Sequence, residues 1–280
     1  MITIFTTLKP FRDPLIRTIQ ENALKSWLLI RPKCEVILMG NDEGTEEAAK
    51  KFGVRHIPNI RTDGKLPFID SLFAEAQKAA KFPLLCCTSG DIIFTSSLLS
   101  SVKRVKKTYD TFLAIGQRWD VDIREPISYN GLWEERMKNL IEKKGTLHGL
   151  SGIDYFVFPK GTFTHIPHFV VGRAGWDNWI IFSARSRSIP VIDISKTAVV
   201  IHQEHDLPGK RESAKRFHDE IAKRNIVLAG GYKNLLTIRD ANLVLENGTI
   251  KKRLWATLTF LLPWRLVLSW KRTFNQLRNR

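Results

Sequence analysis

Polar side chains stand directly after three predicted strands in the first half of the chain. The pairs are Thr6 and Thr7, Asn41 and Asp42, and Ser89 and Asp91. Ligands of open α/β sheets bind outside the carboxyl ends of the strands, so we expect these side chains to converge on one crevice. Taken singly, each of them is more typical of a turn or a helix cap. Their joint position indicates a binding site for a polar ligand.

The sequence lacks the usual phosphate-binding motifs. Neither GxxxxGK[ST] nor GxGxxG occurs, which argues against a P-loop kinase and a dinucleotide dehydrogenase. GxSxG and HExxH are also missing, which argues against serine hydrolases and zinc proteases of those types. Without a glycine loop, a nucleotide diphosphate needs another source of positive charge. A divalent cation held by Asp91 and a second ligand is the economical solution.

The elements that must position these residues alternate between strand and helix. Predicted strands lie at 2–7, 35–39, 83–87 and 111–116, and predicted helices begin near residues 14, 45, 67 and 96. This order predicts a mostly parallel sheet with helices on both faces. Beyond Gln117 the pattern loosens into a loop at 118–123, helices at 132–143 and 175–185, and strands at 154–159, 190–194 and 198–202.

Length and composition agree with an enzyme built as one continuous domain. The chain has 280 residues, of which 43% are apolar and 26% charged, and it contains no internal repeat or evident linker. The three cysteines fit neither a disulfide framework nor a zinc site, so we expect a reducing compartment. The amino terminus is typical of a strand and not of a signal peptide, which predicts a cytoplasmic location.

Over about residues 2–240 the chain resembles GT-A-type nucleotide-diphospho-sugar transferases, close to the family-2-like glycosyltransferases. Thr6-Thr7 match the loop after that family's first strand, and Asn41–Thr45 match the turn that holds the base and ribose. Ser89–Asp91 match its DxD motif, with Ser89 in place of the first Asp. The resemblance implies a GT-A domain over 1–245, with a nucleotide-sugar half at 1–116 and an acceptor half at 117–245.

The resemblance also implies roles for individual residues. Asp91 would bind Mn²⁺ or Mg²⁺ and the diphosphate, and Ser89 would touch the ribose or a water molecule. His202 would be a further metal ligand, a role for which His205 and Asp206 compete. Asp177 in GWDNW would be the general base of an inverting transfer, with a helix cap or a residue that binds the acceptor as the alternatives.

Further residues are assigned to the donor and acceptor on the same basis. Asp154, in the segment GLSGIDY, would bind acceptor hydroxyls, and Trp176 and Trp179 would stack on a sugar, although tryptophans also pack in cores. Lys65 would counter the charge of the diphosphate or be an exposed surface cation. The acid pair Asp120 and Asp122, beside Arg118, would line the donor pocket or belong to a salt-bridged loop.

The last part of the chain, 246–280, is predicted to be a basic amphipathic tail. Residues 251–280 hold eight of the 44 basic residues and no acid, so half of the net charge of +16 lies there. Tryptophans among leucines, flanked by cations, are typical of a helix that lies on a membrane surface. Packing against the domain, or a contact within an oligomer, is the alternative. Binding to nucleic acid is disfavoured by the long aliphatic runs.

The sequence thus predicts a glycosyltransferase that uses a nucleotide-sugar donor and a glycan or lipid-linked saccharide acceptor, at the inner face of the membrane. Two alternatives stay open. One is a nucleotidyltransferase that makes a sugar nucleotide, although the segment after the first strand lacks the expected glycine-rich basic loop. The other is an inactive scaffold with the same fold, a possibility raised by Ser89.

Overall fold

The structure is a computed structural model that describes residues 1–205, 219–254 and 256. The strands are β1 (Ile2–Thr7), β2 (Glu35–Met39), β3 (Arg55–Ile57), β4 (Leu84–Thr88), β5 (Ile92–Phe94), β6 (Leu113–Ile115), β7 (Trp119–Val121), β8 (Thr146–Leu147), β9 (Tyr155–Pro159), β10 (Val191–Asp193), β11 (Val200–Gln203), β12 (Leu243–Glu246) and β13 (Thr249–Lys252). The helices are α1 (Pro14–Leu29), α2 (Thr45–Phe52), α3 (Ile69–Ala79), α4 (Ser96–Thr108), α5 (Trp133–Lys144), α6 (Trp176–Ser186) and α7 (Glu220–Leu228).

Nine strands form the main sheet, in the order β13-β12-β10-β6-β9-β4-β1-β2-β3. Its neighbours are parallel except where β9 lies between β4 and β6 and where β13 pairs with β12. This confirms the predicted class, a mixed and mostly parallel sheet. Because β6 lies between β10 and β9, strands from the two predicted halves interleave in one sheet.

Helices cover both faces of the main sheet because its strands are apolar on both sides. In β1, Ile4 packs with the cluster that includes α1 and α4, whereas Phe5 packs with the cluster that includes α3 and α6. Asp13 caps α1 by accepting a 2.7 Å hydrogen bond from Leu15 N, and Pro14 occupies the first turn. Trp27 of α1 is fully buried, and its Nε1 donates to Ile92 O at 2.8 Å.

A second sheet, in the order β5-β11-β7-β8, packs against α5. Its core includes Ile93, Val121 and Ile201 from the strands, packed against Trp133 and Met137 of α5. The sequence predicted a loop at 118–123, and this expectation was wrong for Trp119–Val121, which is β7. Three residues are too few for a periodic pattern, and the strand is held by β11, about 80 residues later.

The first residues of the predicted tail belong to the main sheet, since β13 forms its edge strand. Arg253 follows it and donates to Ile238 O at 2.9 Å, and its guanidinium also pairs with Asp193. Residue 255 and residues 257–280, with most of the predicted membrane-binding helix, lie outside the described residues. Within the described ranges, no helix has both the length and the apolar character needed to cross a bilayer.

Candidate active site

The turn at 89–91 follows β4 and holds Asp91 at the carboxyl edge of that strand. Ser89 N donates a 3.0 Å hydrogen bond to Asp154 O, and Ser89 Oγ donates to Asp154 Oδ1 at 3.2 Å. Gly90 lies so close to the loop after β1 that a Cβ here would meet Leu8 Cδ2 at 2.8 Å. The turn is therefore confined on both sides, and Asp91 is only 8% exposed.

Two histidines reach Asp91 from β11 and the residues after it. β11 runs antiparallel to β5 and pairs His202 with Ile92, which brings His202 next to Asp91. Gln203 N donates to Asp91 O at 3.3 Å and secures this register. His205 Nε2 lies 3.1 Å from Asp91 Oδ2, and His202 Nε2 lies 3.8 Å from the same oxygen.

Asp91, His202 and His205 form a group of residues that fits a divalent cation. Each offers one ligand atom, and these atoms lie within 4.8 Å of one another. Asp91 Oδ1 is buried without a hydrogen-bond partner among the described residues, so this oxygen has a lone pair to offer. One carboxylate and two imidazoles are a donor set that first-row transition metals accept in proteins. The sequence left His202, His205 and Asp206 as alternatives for the further metal ligand. Both histidines lie beside Asp91, and Asp206 lies outside the described residues.

Lys9 adds a positive charge beside the same carboxylate. Its Nζ lies 3.9 Å from Asp91 Oδ2 and 2.9 Å from His205 Nε2. Burial alone would raise the pKa of Asp91. The hydrogen bond to His205 and the nearby His202 and Lys9 outweigh burial and hold that pKa well below its ordinary value. Asp91 is therefore ionised at neutral pH.

Asp120 orients His202 through Nδ1, the ring nitrogen that is not the one nearest to Asp91. The parallel pairing of β7 with β11 sets Asp120 opposite His202, and Asp120 Oδ1 lies 3.1 Å from His202 Nδ1. Asp120 Oδ2 lies 2.5 Å from Nδ1 of His148, which follows β8. Burial would raise the pKa of Asp120, but its bonds to His148, His202 and Arg118 hold it far below the ordinary value.

Arg118 connects this layer to the turn after β4. Its Nε donates to Asp120 Oδ1 at 2.9 Å, and its Nη1 pairs with Asp154 Oδ2. Because Asp154 also accepts from Ser89, a continuous network of charged and polar groups runs from Ser89 to His202. The resemblance predicted that Asp154 binds acceptor hydroxyls. In the structure, Arg118 and Ser89 hold its carboxylate in the wall of the site.

Four further residues predicted to bind the nucleotide lie at the carboxyl edge of the main sheet, in or just after β1 and β2. Thr6 is buried and its hydroxyl donates to Thr88 O at 2.6 Å, which joins β1 to β4. Thr7 is partly buried, Asn41 is exposed, and Asp42 is partly buried with a pKa raised by burial. Lys65 is exposed in the turn before α3, where its amide donates to Asp63 Oδ1. The described contacts do not link the Lys65 side chain to Asp91.

Asp177 stands in the first turn of α6. Gly175 precedes the helix with a φ of +110°, a conformation that L side chains rarely adopt. Asn178 Nδ2 donates to Leu236 O at 2.7 Å, and the Trp176 ring lies 5.3 Å from that of Phe156 in β9. These contacts seat the start of α6 against the main sheet.

The carboxyl group of Asp177 is unusual in its surroundings. Asp177 Oδ1 is buried with no hydrogen-bond partner in the part of the chain that the structure describes. Burial raises the pKa of Asp177 to about 6, although backbone amides of the helix start oppose the shift. A carboxylate with such a pKa can accept a proton near neutral pH.

Trp179 lies one turn after Trp176 in α6, and its ring contacts different residues from those that Trp176 contacts. Its ring centroid is 5.2 Å from that of Phe169. It also lines a cavity of about 430 Å³ together with Arg61, Asp70 and His165. The structure therefore brings Asp91, His202 and Asp154 into one network, whereas Trp179 belongs to a different depression.

Comparison with known proteins gives matches among solved structures only. No family model matches the sequence, and no curated protein is recognisably related to it. Among solved structures, Staphylococcus aureus TarS in complex with UDP-GlcNAc is 11% identical, with a TM-score of 0.52 over 81% of this chain and 66% of that one. A mycobacterial protein is 14% identical, with a TM-score of 0.51 over 90% and 83%.

A third structure, glucosyl-3-phosphoglycerate synthase from Mycobacterium tuberculosis with Mg²⁺ and UDP, is 13% identical, with a TM-score of 0.49 over 82% and 80%. At such identities the likeness concerns the fold alone. The fold is GT-A-like, which confirms the class that the sequence resemblance implied.

Proposed function

We propose that the protein is a glycosyltransferase that moves a sugar from a nucleotide-diphospho-sugar to a hydroxyl of a saccharide or lipid-linked glycan. The observation that carries the proposal is the group formed by Asp91, His202 and His205 at the edge of a GT-A-like sheet. UDP-GlcNAc in the TarS structure supports a nucleotide sugar as donor. The predicted residues Thr7, Asn41 and Asp42 lie at that edge and are assigned to the nucleotide.

Asp91, His202 and His205 are the residues that would hold Mn²⁺ or Mg²⁺. A bound divalent cation would supply positive charge for the diphosphate that leaves. The sequence departure at Ser89 raised the alternative of an inactive scaffold. His205 supports activity, because it provides a ligand that the pattern around Ser89 lacks. The network through Arg118 then gives Ser89 a different task, which is to hold Asp154 in place.

Asp177 is proposed as the general base. The acceptor hydroxyl oxygen forms a bond to the anomeric carbon, the bond from that carbon to the diphosphate oxygen breaks with its electron pair, and Asp177 takes the hydroxyl proton. Attack opposite the departing group inverts the anomeric centre. The raised pKa of about 6 supports this role, because the carboxylate is ionised at pH 7 and still basic.

Trp176 and Asp154 are proposed to contact the acceptor, since they lie at the start of α6 and in the wall of the site.

A membrane surface is proposed as a further partner through 251–280. Lys251 and Lys252 are exposed on β13, and the remaining cations of that segment, apart from Arg253, lie outside the described residues. Sedimentation of the full chain with vesicles of anionic and of zwitterionic lipid tests this part.

Hydrolysis of the donor tests the proposal directly. UDP-glucose, UDP-GlcNAc and GDP-mannose are incubated with the protein with and without Mn²⁺, and release of the nucleoside diphosphate is measured. We expect release from one donor class that depends on Mn²⁺ and falls at least a hundredfold in Asp91→Asn. Asp110→Asn is the matched control, since Asp110 is fully exposed after α4. Equal release by Asp91→Asn, or none by the wild type with any donor, contradicts the proposal.

A further inference from the structure

The cavity of about 430 Å³ that Trp179 lines is formed by α3, α6 and the loop at 164–167. We call it the α3–α6 depression, and its lining includes Arg61, Asp70, Ala74, Thr164, His165 and Trp179. Two hydrogen bonds tie the loop to α3. Gln77 Nε2 donates to Phe163 O at 2.6 Å before the loop, and Ile69 N donates to Phe169 O at 2.8 Å after it. The volume lies within the about 300–1,000 Å³ that small-molecule sites occupy.

Asp70, in the first turn of α3, brings a carboxylate oxygen without a partner to this depression. Its Oδ2 pairs with Arg61 and lies 2.9 Å from His168 Nδ1. Both partners pack on the ring of Phe68, which keeps them at Oδ2. Oδ1 is buried and has no hydrogen-bond partner among the described residues. Burial without a donor is costly for a carboxylate oxygen, because the lost water is not replaced. A ligand hydroxyl in the depression would supply the missing donor.

Trp179 adds an aromatic surface to the same depression. It is partly buried, and its ring is tilted by 60° against that of Phe169, with 5.2 Å between the centroids. A pyranose ring presents a face of C–H groups that packs on aromatic rings, and tryptophan offers a large area for such contacts. Arg61 and His165 are exposed beside it and carry hydrogen-bond donors. The depression thus combines a flat apolar surface with an acceptor and donors.

These groups favour a neutral sugar over an ion. An anion would be repelled by the carboxylate of Asp70, which already pairs with Arg61. A metal ion needs several ligand atoms, and in the part of the chain that the structure describes, the only group of three or more metal-ligating side chains is the one at Asp91. A sugar hydroxyl both donates to a carboxylate and accepts from a guanidinium or an imidazole.

We propose that the α3–α6 depression binds a sugar of the acceptor chain other than the unit that reacts. This role rests on the proposed function and adds a second sugar subsite to it. Trp179 follows Asp177 by two residues of α6, which sets their side chains about 200° apart around the helix axis and about 3 Å apart along it. The depression therefore lies on a different side of α6 from the proposed base. A sugar bound there anchors the chain, and another unit of that chain presents its hydroxyl to Asp177.

Nuclear magnetic resonance of the tryptophan indoles tests the subsite without reference to transfer. The indole signal of Trp179 in isotope-labelled protein is identified by its absence in Trp179→Phe. Methyl glycosides and linear tetrasaccharides of glucose, N-acetylglucosamine, galactose and mannose are then titrated. We expect one sugar of this panel to shift the Trp179 signal. Its tetrasaccharide should bind at least tenfold more tightly than its methyl glycoside, because a chain makes more contacts than a single unit.

Two variants test the walls of the depression. Ala74 is exposed on α3, so the ring added in Ala74→Phe fills the depression without entering the core, and tetrasaccharide binding should weaken at least tenfold. Asp70→Asn keeps the shape of the side chain but removes its charge, and should weaken binding at least fivefold. Lys103→Phe, which adds a ring at an exposed position of α4, is the control and should bind as wild type does. Circular dichroism verifies that each variant is folded.

The outcomes separate the subsite from the proposed function. A Trp179 signal that no sugar of the panel shifts overturns the subsite, and the proposed function stands if the wild type still releases nucleoside diphosphate with Mn²⁺. Equal binding by Ala74→Phe and wild type, or a shift by inorganic phosphate in place of sugars, also overturns the subsite. A sugar that binds at Trp179 of a protein that hydrolyses no donor supports the sugar site and contradicts the proposed function.

Discussion

His202 Nδ1 lies 3.1 Å from Asp120 Oδ1, although 82 positions separate the two residues in the chain. An ionised carboxylate only accepts hydrogen bonds, so the proton of a neutral His202 ring resides on Nδ1. Nε2 then presents its lone pair on the side of Asp91. Carboxylates that hold a ligand histidine in this way tune both its orientation and its basicity.

Replacement of Asp120 should therefore weaken cation binding without unfolding the protein. In Asp120→Asn we expect the affinity for Mn²⁺, measured in the presence of a nucleoside diphosphate, to fall about 10- to 100-fold. Electron spin echo measurements on bound Mn²⁺ should show a weaker coupling to histidine nitrogen. Asp122→Asn is the control, because Asp122 is exposed on the same segment and pairs with Arg124. Unchanged Mn²⁺ affinity in Asp120→Asn would show that Asp120 has no such role.

The donor set also predicts which cation the protein prefers. Two of the three ligand atoms are imidazole nitrogens, whereas Mg²⁺ prefers oxygen ligands and keeps several water molecules. At equal concentrations we expect Mn²⁺ to support donor hydrolysis better than Mg²⁺. In His205→Asp, which makes the ligands harder, the ratio of the two rates should fall towards one. Equal rates with both cations in the wild type would argue against His202 and His205 as joint ligands.

The fold could be predicted largely because the strands of its main sheet are strongly apolar. β1, β2 and β4 each combine a buried run with a polar residue at or just after the carboxyl end, so both the strand and its edge residues are visible in the sequence. Helical spacing in 14–29 and 96–108 is equally clear. These features made the class and the position of Asp91 accessible.

The second sheet, and with it the environment of Asp91, was not predictable in the same way. β5, β7, β8 and β11 have two to four residues each and pair with strands about 30 to 110 positions away. Such strands carry no periodic signal. The link between His202 and Asp120 depends on this long-range register, and the position of Lys9 depends on a hydrogen bond from Gln20 to its backbone. The acid pair beside Arg118 was the one visible signal for the network.

The pKa of Asp177 predicts how the reaction responds to acid. A base must be ionised, and burial raises the pKa of Asp177 to about 6, so activity is lost as pH falls through that value. We expect kcat/KM for transfer to fall about tenfold per pH unit below 6. Binding of Mn²⁺ measured over the same range separates this loss of activity from loss of the cation. A rate that stays constant down to pH 5 while Mn²⁺ remains bound would exclude Asp177 as the base.

The same carboxylate should reduce the stability of the fold. Because the pKa of Asp177 is raised in the folded state, its protonated form contributes stability that is present below the unfolded pKa and lost as pH rises through about 6. Asn keeps the shape and carries no charge at any pH. Asp177→Asn should therefore be more stable than wild type at pH 8, by on the order of 1 to 3 kcal/mol, and this advantage should shrink towards pH 4.

Thermal unfolding at pH 8 and at pH 4.5 measures the effect. For a chain of this size each kcal/mol corresponds to a rise in Tm of about 2–4 °C. Asp110→Asn serves as the control, since the exposed Asp110 should show no gain at pH 8. A variant Asp177→Asn that loses transfer activity and gains more stability at pH 8 than at pH 4.5 would mean that the ionised carboxylate is retained for catalysis although it destabilises the fold. Equal Tm values for Asp177→Asn and wild type at both pH values would instead place Asp177 in water, with an ordinary pKa and no reason to act as the base.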